Sequence, residues 1–223
     1  MSMTVVSLSV PDAIGRESPT HVVEDSDGAV LAIIRAPEIN LAIWRRPLGA
    51  ALVDWIGRLD LQAIEDLRFE TALATLDEDI RDGLGEAGYP EGDILAADIV
   101  DLARHVMSVT GEEDAVIRLE IVEDDACRRF HADYVTARLI CTYAGLGTQW
   151  LSSEDAAARD AGMPLAEHAI RSLAAGDVGL FKGRIWAPEN AIIHRSPPIS
   201  GTGAKRLVLV VSPGREKPAV LIQ

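Results

Sequence analysis

The sequence predicts an α+β fold, a mostly helical N-terminal part (1–112) packed on a β-rich C-terminal part (113–215). Three observations carry this. The chain has 223 residues and 48% hydrophobic content, enough for one domain with a sizeable core. Its first half places apolar residues mainly at helical spacing. Its second half is cut into short apolar runs by turn residues, the pattern of an antiparallel sandwich or barrel.

Taken in order, residues 1 to 20 carry Pro, Ser and Gly without periodicity and are expected to be loose. "AVLAIIRA" (29–36) reads as a short buried strand. "LGAALVDWIGRLDLQAIEDLRFE" (48–70) reads as a helix that turns polar towards its end. The cluster "DGLGEAGYPEGD" (82–93) breaks the pattern. "ILAADIVDLARHVMSVTG" (94–111) is an amphipathic helix closed by Gly111. Beyond it, "AVIRLEIVE" (115–123) alternates as a half-buried strand with Ile117, Leu119 and Ile121 on one face. "ARLICTYAG" (137–145) is a second strand. "MPLAEHAIRSLAAGD" (163–177) is expected to be a short helix with Pro164 in its first turn. Strands "VGLFKG" (178–183), "NAIIHR" (190–195) and "KRLVLVVSP" (205–213) complete the reading.

Charge narrows the function classes. There are 21 basic and 35 acidic residues, a net charge of −14, and a nucleic-acid or anionic-membrane partner needs a concentrated basic face instead. No stretch reaches the roughly 18 uninterrupted apolar residues of a membrane span, and the N-terminus resembles no signal peptide. Cys127 and Cys141 are accordingly read as reduced thiols of a cytoplasmic protein.

The segment "RRFHADYVTARLICTYAGLGTQWL" (128–151) carries the chemistry. In extended backbone, residues i and i+2 share a face, so His131 and Asp133 aim an imidazole and a carboxylate at one point. His194, 61 residues after Asp133, ends a strand and precedes the turn "RSPPISGTG". Two histidines and one carboxylate make the facial triad of non-haem Fe(II) oxygenases, which leaves positions open for cosubstrate and O₂. If the cosubstrate is 2-oxoglutarate, its distal carboxylate needs a cation, best a guanidinium. Arg206, 12 residues after His194 at the head of an apolar strand, is the candidate, with the adjoining Lys205 as the alternative. Tyr143 offers a hydroxyl to the same carboxylate.

These residues, in order, resemble the prolyl-hydroxylase-like branch of Fe(II)/2-oxoglutarate oxygenases. The pattern runs His131-x-Asp133, Tyr143, Gly147-Thr148, Gly176-Asp177 with Phe181, then His194 and Arg206. The resemblance covers roughly the last 85 residues and implies a double-stranded β-helix, jelly-roll or cupin-like, with Fe(II) and 2-oxoglutarate as cofactors. The phrases "CRRFHADYVTARLICTY", "GTQWL" and "HRSPP" further resemble a bacterial family known as domain of unknown function 1826, over most of the chain. That second resemblance implies no established activity.

A rival reading belongs to a different class. Cys127 precedes His131 at a spacing seen in zinc sites, so Cys127, His131, Asp133 and His194 would form a closed tetrahedral set in a non-catalytic jelly-roll protein that handles or senses metal. Trp150 and Trp186 are candidates for walling a substrate pocket, though core packing is the commoner role. Arg118 and Glu120 share a strand face, as a polar-substrate reader or a cross-strand salt bridge. His168 is expected on an exposed helix; His21 and His105 have no partner at ligand spacing. The expected partner is a small-molecule or peptide substrate, and a homodimer through the helical half is a candidate assembly.

Overall fold

Four of the strands expected in the second half form close to their expected bounds. In the computed structural model, which describes residues 19–214, they are β4 (Asp114–Val122), β5 (Ala137–Ala144), β8 (Val178–Lys182) and β10 (Arg206–Pro213), while of 190–195 only β9 (His194–Arg195) is strand. Most of the segment 1 to 20 lies outside the described residues. The long amphipathic helix is α3 (Asp93–Thr110), which buries Leu95, Ile99, Leu102 and Val106. Gly111 ends it in the left-handed region (φ 75°), and its N–H donates to the Met107 carbonyl, the cap that glycine provides without a Cβ clash.

The N-terminal part differs from its expectation. It is not a layer of helices alone, because β1 (Val22–Asp25), β2 (Leu41–Trp44) and β3 (Leu67–Ala72) all join the large sheet. Residues 29–36 are not a strand but most of a 3₁₀ helix, Gly28–Arg35, capped by the Asp27 carboxylate, which accepts from the Ala29 N–H at 2.9 Å. A short apolar run has no period that separates the two states; here Val30, Leu31 and Ile34 are buried from one side. The expected helix over 48–70 is α1 (Ala50–Arg58) alone, and only its last residues, 67–70, pair with β4 as the start of β3. The expected break at 82–93 begins late, because α2 (Leu76–Glu86) runs into it.

The helix expected over 163–177 does not form. Residues Glu167–Ala169 make one 3₁₀ turn, and Arg171–Ser172 (β7) pairs with β6 (Gln149–Trp150), giving its backbone a sheet partner instead. The helix in this region is α4 (Ser153–Asp160), started by Ser152, whose Oγ accepts from the Asp155 N–H at 3.0 Å.

Two sheets result. The larger runs β1-β2-β8-β5-β10-β4-β3, and the smaller runs β7-β6-β9. Strand parity then sorts the side chains. On the helix-covered face, Leu139, Cys141 and Tyr143 of β5 and Leu207, Leu209 and Val211 of β10 join the main core with α3. On the other face, Ile140, Phe181, Val208 and Val210 pack with Trp150 of the small sheet, so the two sheets enclose a second, smaller core. The candidate site lies on this second face. No helix among the described residues is long and apolar enough to cross a membrane.

Candidate metal centre and its buried arginine

His131 extends the small sheet by one bridge. Its N–H donates to the His194 carbonyl at 3.0 Å and the His194 N–H returns the bond at 2.9 Å. Residues opposed in this way project to the same side, and the two imidazole rings stand 4.9 Å apart. Phe181 of β8 packs on the His194 ring at 5.0 Å, fixing it against the large sheet. Asp133 enters between the rings, with Oδ1 3.5 Å from His131 Nε2 and Oδ2 3.3 Å from His194 Nε2. One ligand atom from each of the three residues lies within 4.8 Å of the others, a group that can hold a metal ion.

The tautomers follow from the backbone. His131 Nδ1 lies 2.8 Å from the Arg129 carbonyl and His194 Nδ1 3.3 Å from the Ile192 carbonyl. A carbonyl only accepts, so each Nδ1 carries the proton and each Nε2 lone pair faces inward. Two lone pairs and a carboxylate thus converge, and such a set is satisfied by a proton or a metal cation. Burial raises the cost of ionising Asp133, but bonds to His131 and His194 and the charge of Arg138 hold its carboxyl well below the usual carboxylate range. Asp133 in turn raises the His131 pKa against the opposing effect of burial. Arg138 Nη1 donates at 2.7 Å to Asp133 Oδ2, the oxygen that also stands 3.3 Å from His194 Nε2, and steadies the carboxylate.

Arg206 is 1% exposed, yet its hydrogen bonds all go to neutral oxygens. Nε donates to the Leu146 carbonyl at 2.5 Å, Nη1 to Ser196 Oγ at 3.0 Å, and Nη2 to Thr142 and Thr148 Oγ1 at 3.4 and 3.5 Å. Among the described residues no carboxylate pairs with it. Burial pushes the guanidinium down to about 10. An unpaired buried cation costs several kcal/mol by the scale of ion desolvation, so such a group points to an anion that is not part of the chain. Arg206, Thr148, Ser196, His131 and His194 line one pocket of about 480 Å³ of unfilled space, part of it open to solvent, floored by Ile140, Val208 and Val210.

The turn between β5 and β6 is built for this approach. A Cβ on Gly145 (φ 84°) would stand 2.3 Å from the Lys205 carbonyl oxygen, and one on Gly147 would stand 1.9 Å from that of Leu173. Only glycine lets the chain pass this close and deliver Thr148 to the guanidinium.

The other expected site residues lie elsewhere. Lys205 pairs with Glu123, away from the Arg206 guanidinium. Tyr143 does not reach the pocket: strand parity turns it to the helix face, where its hydroxyl donates to Asp98 Oδ2 at 2.6 Å. There Arg46 clamps the same carboxylate at 2.6 and 2.8 Å. Thr142, one residue earlier, reaches the Arg206 guanidinium instead. Cys127 sits at the pocket rim and is exposed, but it is not in the metal-competent group, so the closed four-ligand set is not formed. Trp150 belongs to the second core under Arg171, and Trp186 lies under the Lys182 ammonium, so neither walls the pocket. Arg118 and Glu120 form an ion pair at 3.3 Å within β4 rather than across strands. His168 lies in the 3₁₀ turn and is exposed. His21 bridges Asn40 and the Ser153 N–H, and His105 packs on Trp44.

Sequence reasoning missed Ser196, Thr142 and Arg138. Ser196 had a signal, since it is two residues from His194. Arg138 had none, because the irregular chain between it and Asp133, five residues earlier, gives the two no shared strand face.

Residues 25–211 match the family described as "Protein of unknown function (DUF1826)". No curated protein matches the chain in sequence. Among solved structures, the dioxygenase for auxin oxidation of rice is 12% identical and covers 91% of this chain and 87% of its own, with a TM-score of 0.50, a likeness of fold. A full-length Neurospora crassa protein solved in complex with alpha-KG is 11% identical, with 94% and 88% covered and a TM-score of 0.49. A Pseudomonas putida prolyl-4-hydroxylase is 15% identical, with 85% and 99% covered and a TM-score of 0.44. Matched over 25–211 of its 223 residues, the chain belongs to the DUF1826 family.

Proposed function

We propose that the protein is an Fe(II)- and 2-oxoglutarate-dependent oxygenase of hydroxylase type, its two sheets being those of a double-stranded β-helix. The observation that carries this reading is the buried Arg206, unpaired with any carboxylate among the described residues, in the same pocket as two inward-facing imidazoles. His131, Asp133 and His194 would hold the iron; two neutral nitrogens and one carboxylate suit that metal and leave room for further ligands. Arg206 would bind the distal carboxylate of 2-oxoglutarate as a charge-assisted pair, with the Ser196, Thr142 and Thr148 hydroxyls completing the cradle. The rice protein with this fold is itself a dioxygenase.

When bound, iron and 2-oxoglutarate supply the oxidising chemistry: O₂ gives one atom to the succinate formed on loss of CO₂ and the other to the substrate. The chain's own residues set the geometry. The Arg129 and Ile192 carbonyls fix the imidazole tautomers, and Arg138 orients the Asp133 carboxylate. Ile140, Val208 and Val210 keep water from the floor of the pocket, which strengthens the Arg206 interaction. The second substrate is a small molecule or peptide reaching this pocket.

Isothermal titration of 2-oxoglutarate into the Mn(II)-loaded protein tests the reading. Binding in the wild type and a loss of at least about a hundredfold in Arg206→Met are expected for a buried charge pair. Equal affinities in the two proteins would refute it.

A further inference from the structure

The pocket's charge exceeds what iron and 2-oxoglutarate use. Arg118, Arg138, Arg195 and Arg206 all line it, against the single lining carboxylate of Glu120 and Asp133 beside it. This concentration stands out in a chain of net charge −14. Four guanidinium charges and a divalent ion face two carboxylates and the dianionic cosubstrate, so two positive charges remain in excess. Just outside, Arg128 and Arg129 line the adjoining opening with His131, where Asp125 pairs with Arg128 at 3.5 Å.

The arrangement of the excess is specific. Arg118 pairs with Val210 across the β4–β10 ladder, and Val210 pairs with Ile140 across the β10–β5 ladder. Arg138, two residues before Ile140 on β5, and Arg118 therefore flank an apolar floor. Glu120 occupies Arg118 through Nη1 at 3.3 Å, and Asp133 occupies Arg138 through Nη1. Each guanidinium has five N–H donors, so both keep capacity for another acceptor. Two like charges beside an apolar surface are relieved by an anion between them.

We propose that the second substrate of this site is a small oxyanion with an apolar body, its carboxylate or phosphate held by Arg118 and Arg138 while the body lies over Ile140, Val208 and Val210. The inference rests on the oxygenase reading above. Arg118 is thereby a specificity-determining residue, and Glu120 a competitor that limits how tightly the anion is held.

The test uses the full chain loaded with Mn(II) and saturating 2-oxoglutarate, which keeps Arg206 occupied. Acetate, benzoate and inorganic phosphate are titrated, with acetamide and benzamide as neutral counterparts. Paramagnetic relaxation by Mn(II) of the probes' protons, or of the phosphate phosphorus, reports binding beside the metal. Relaxation by at least one anion with none by its neutral counterpart is expected, benzoate favoured over acetate. Arg118→Met should weaken that binding at least tenfold with Mn(II) and 2-oxoglutarate affinities kept, and Glu120→Gln should strengthen it severalfold. Anions no better than amides, or binding indifferent to both substitutions, would overturn the proposal. Phosphate binding without carboxylate binding would assign the anion as a phosphate. Failure of the wild type to bind Mn(II) and 2-oxoglutarate at all would overturn the oxygenase reading and this inference with it; failure at the anion step alone overturns only the inference.

Discussion

Replacing Tyr143 by Phe separates two roles that one residue is able to fill in this kind of pocket. The structure places its hydroxyl 2.6 Å from Asp98 Oδ2, on the face of β5 turned from the metal centre. Tyr143 is 3% exposed, and the phenol fills the same space as phenylalanine, so the substitution removes one hydrogen bond and little packing. A hydrogen bond to a charged group contributes about 1.5–3 kcal/mol. Asp98 keeps the bidentate Arg46, so the loss belongs at the lower end, about 1.5 kcal/mol. For a chain of this size that is roughly 3–6 °C in Tm. The assay pairs urea unfolding with titration of 2-oxoglutarate into the Mn(II)-loaded protein. Stability should fall by the stated amount and cosubstrate affinity should not move. Unchanged stability with a tenfold or greater loss of affinity would show that Tyr143 serves the cosubstrate, and the face assignment would be wrong.

Three further outcomes follow from the same geometry. Arg206→Met should leave the metal-free protein no less stable, gaining about 1 kcal/mol in urea unfolding, because it removes an unpaired buried charge. A thiol reagent should label one cysteine per native chain, the exposed Cys127, and two after denaturation; burial pushes the Cys141 thiol up to about 12, and only thiolate reacts. Mn(II) should raise Tm at about pH 8 and lose that effect by about pH 5.5, since a protonated imidazole cannot ligate. The sign for the metal-free chain is opposite: Asp133 raises the His131 pKa, so that pair's stabilisation is complete at acidic pH and lost as pH rises through the raised value.

The triad was legible because its signal is local. His131 and Asp133 are two residues apart in extended chain, and His194 ends an apolar run before prolines, so strand periodicity alone aims all three. The cation was harder. β10 is buried on both faces, so neither parity is marked by polar residues, and Lys205 and Arg206 look equivalent until Val208 and Val210 are seen to face the small sheet. The same absence of alternation in β5 hid that Thr142 rather than Tyr143 reaches the Arg206 guanidinium. A register shift between Leu207 and Val208 makes Thr142 the partner of Val208. In the N-terminal part, β2 is four residues long and β3 continues an apolar helical pattern, so both owe their state to pairing with β8 and β4. Tertiary pairing overrode local propensity there.

The most direct measurement is the anaerobic visible spectrum of the protein with Fe(II) and then 2-oxoglutarate. A weak charge-transfer band that needs both additions and is absent in His131→Ala and in Arg206→Met is expected. Tight Fe(II) binding with no band on adding 2-oxoglutarate, or an identical band in both variants, would contradict the oxygenase reading.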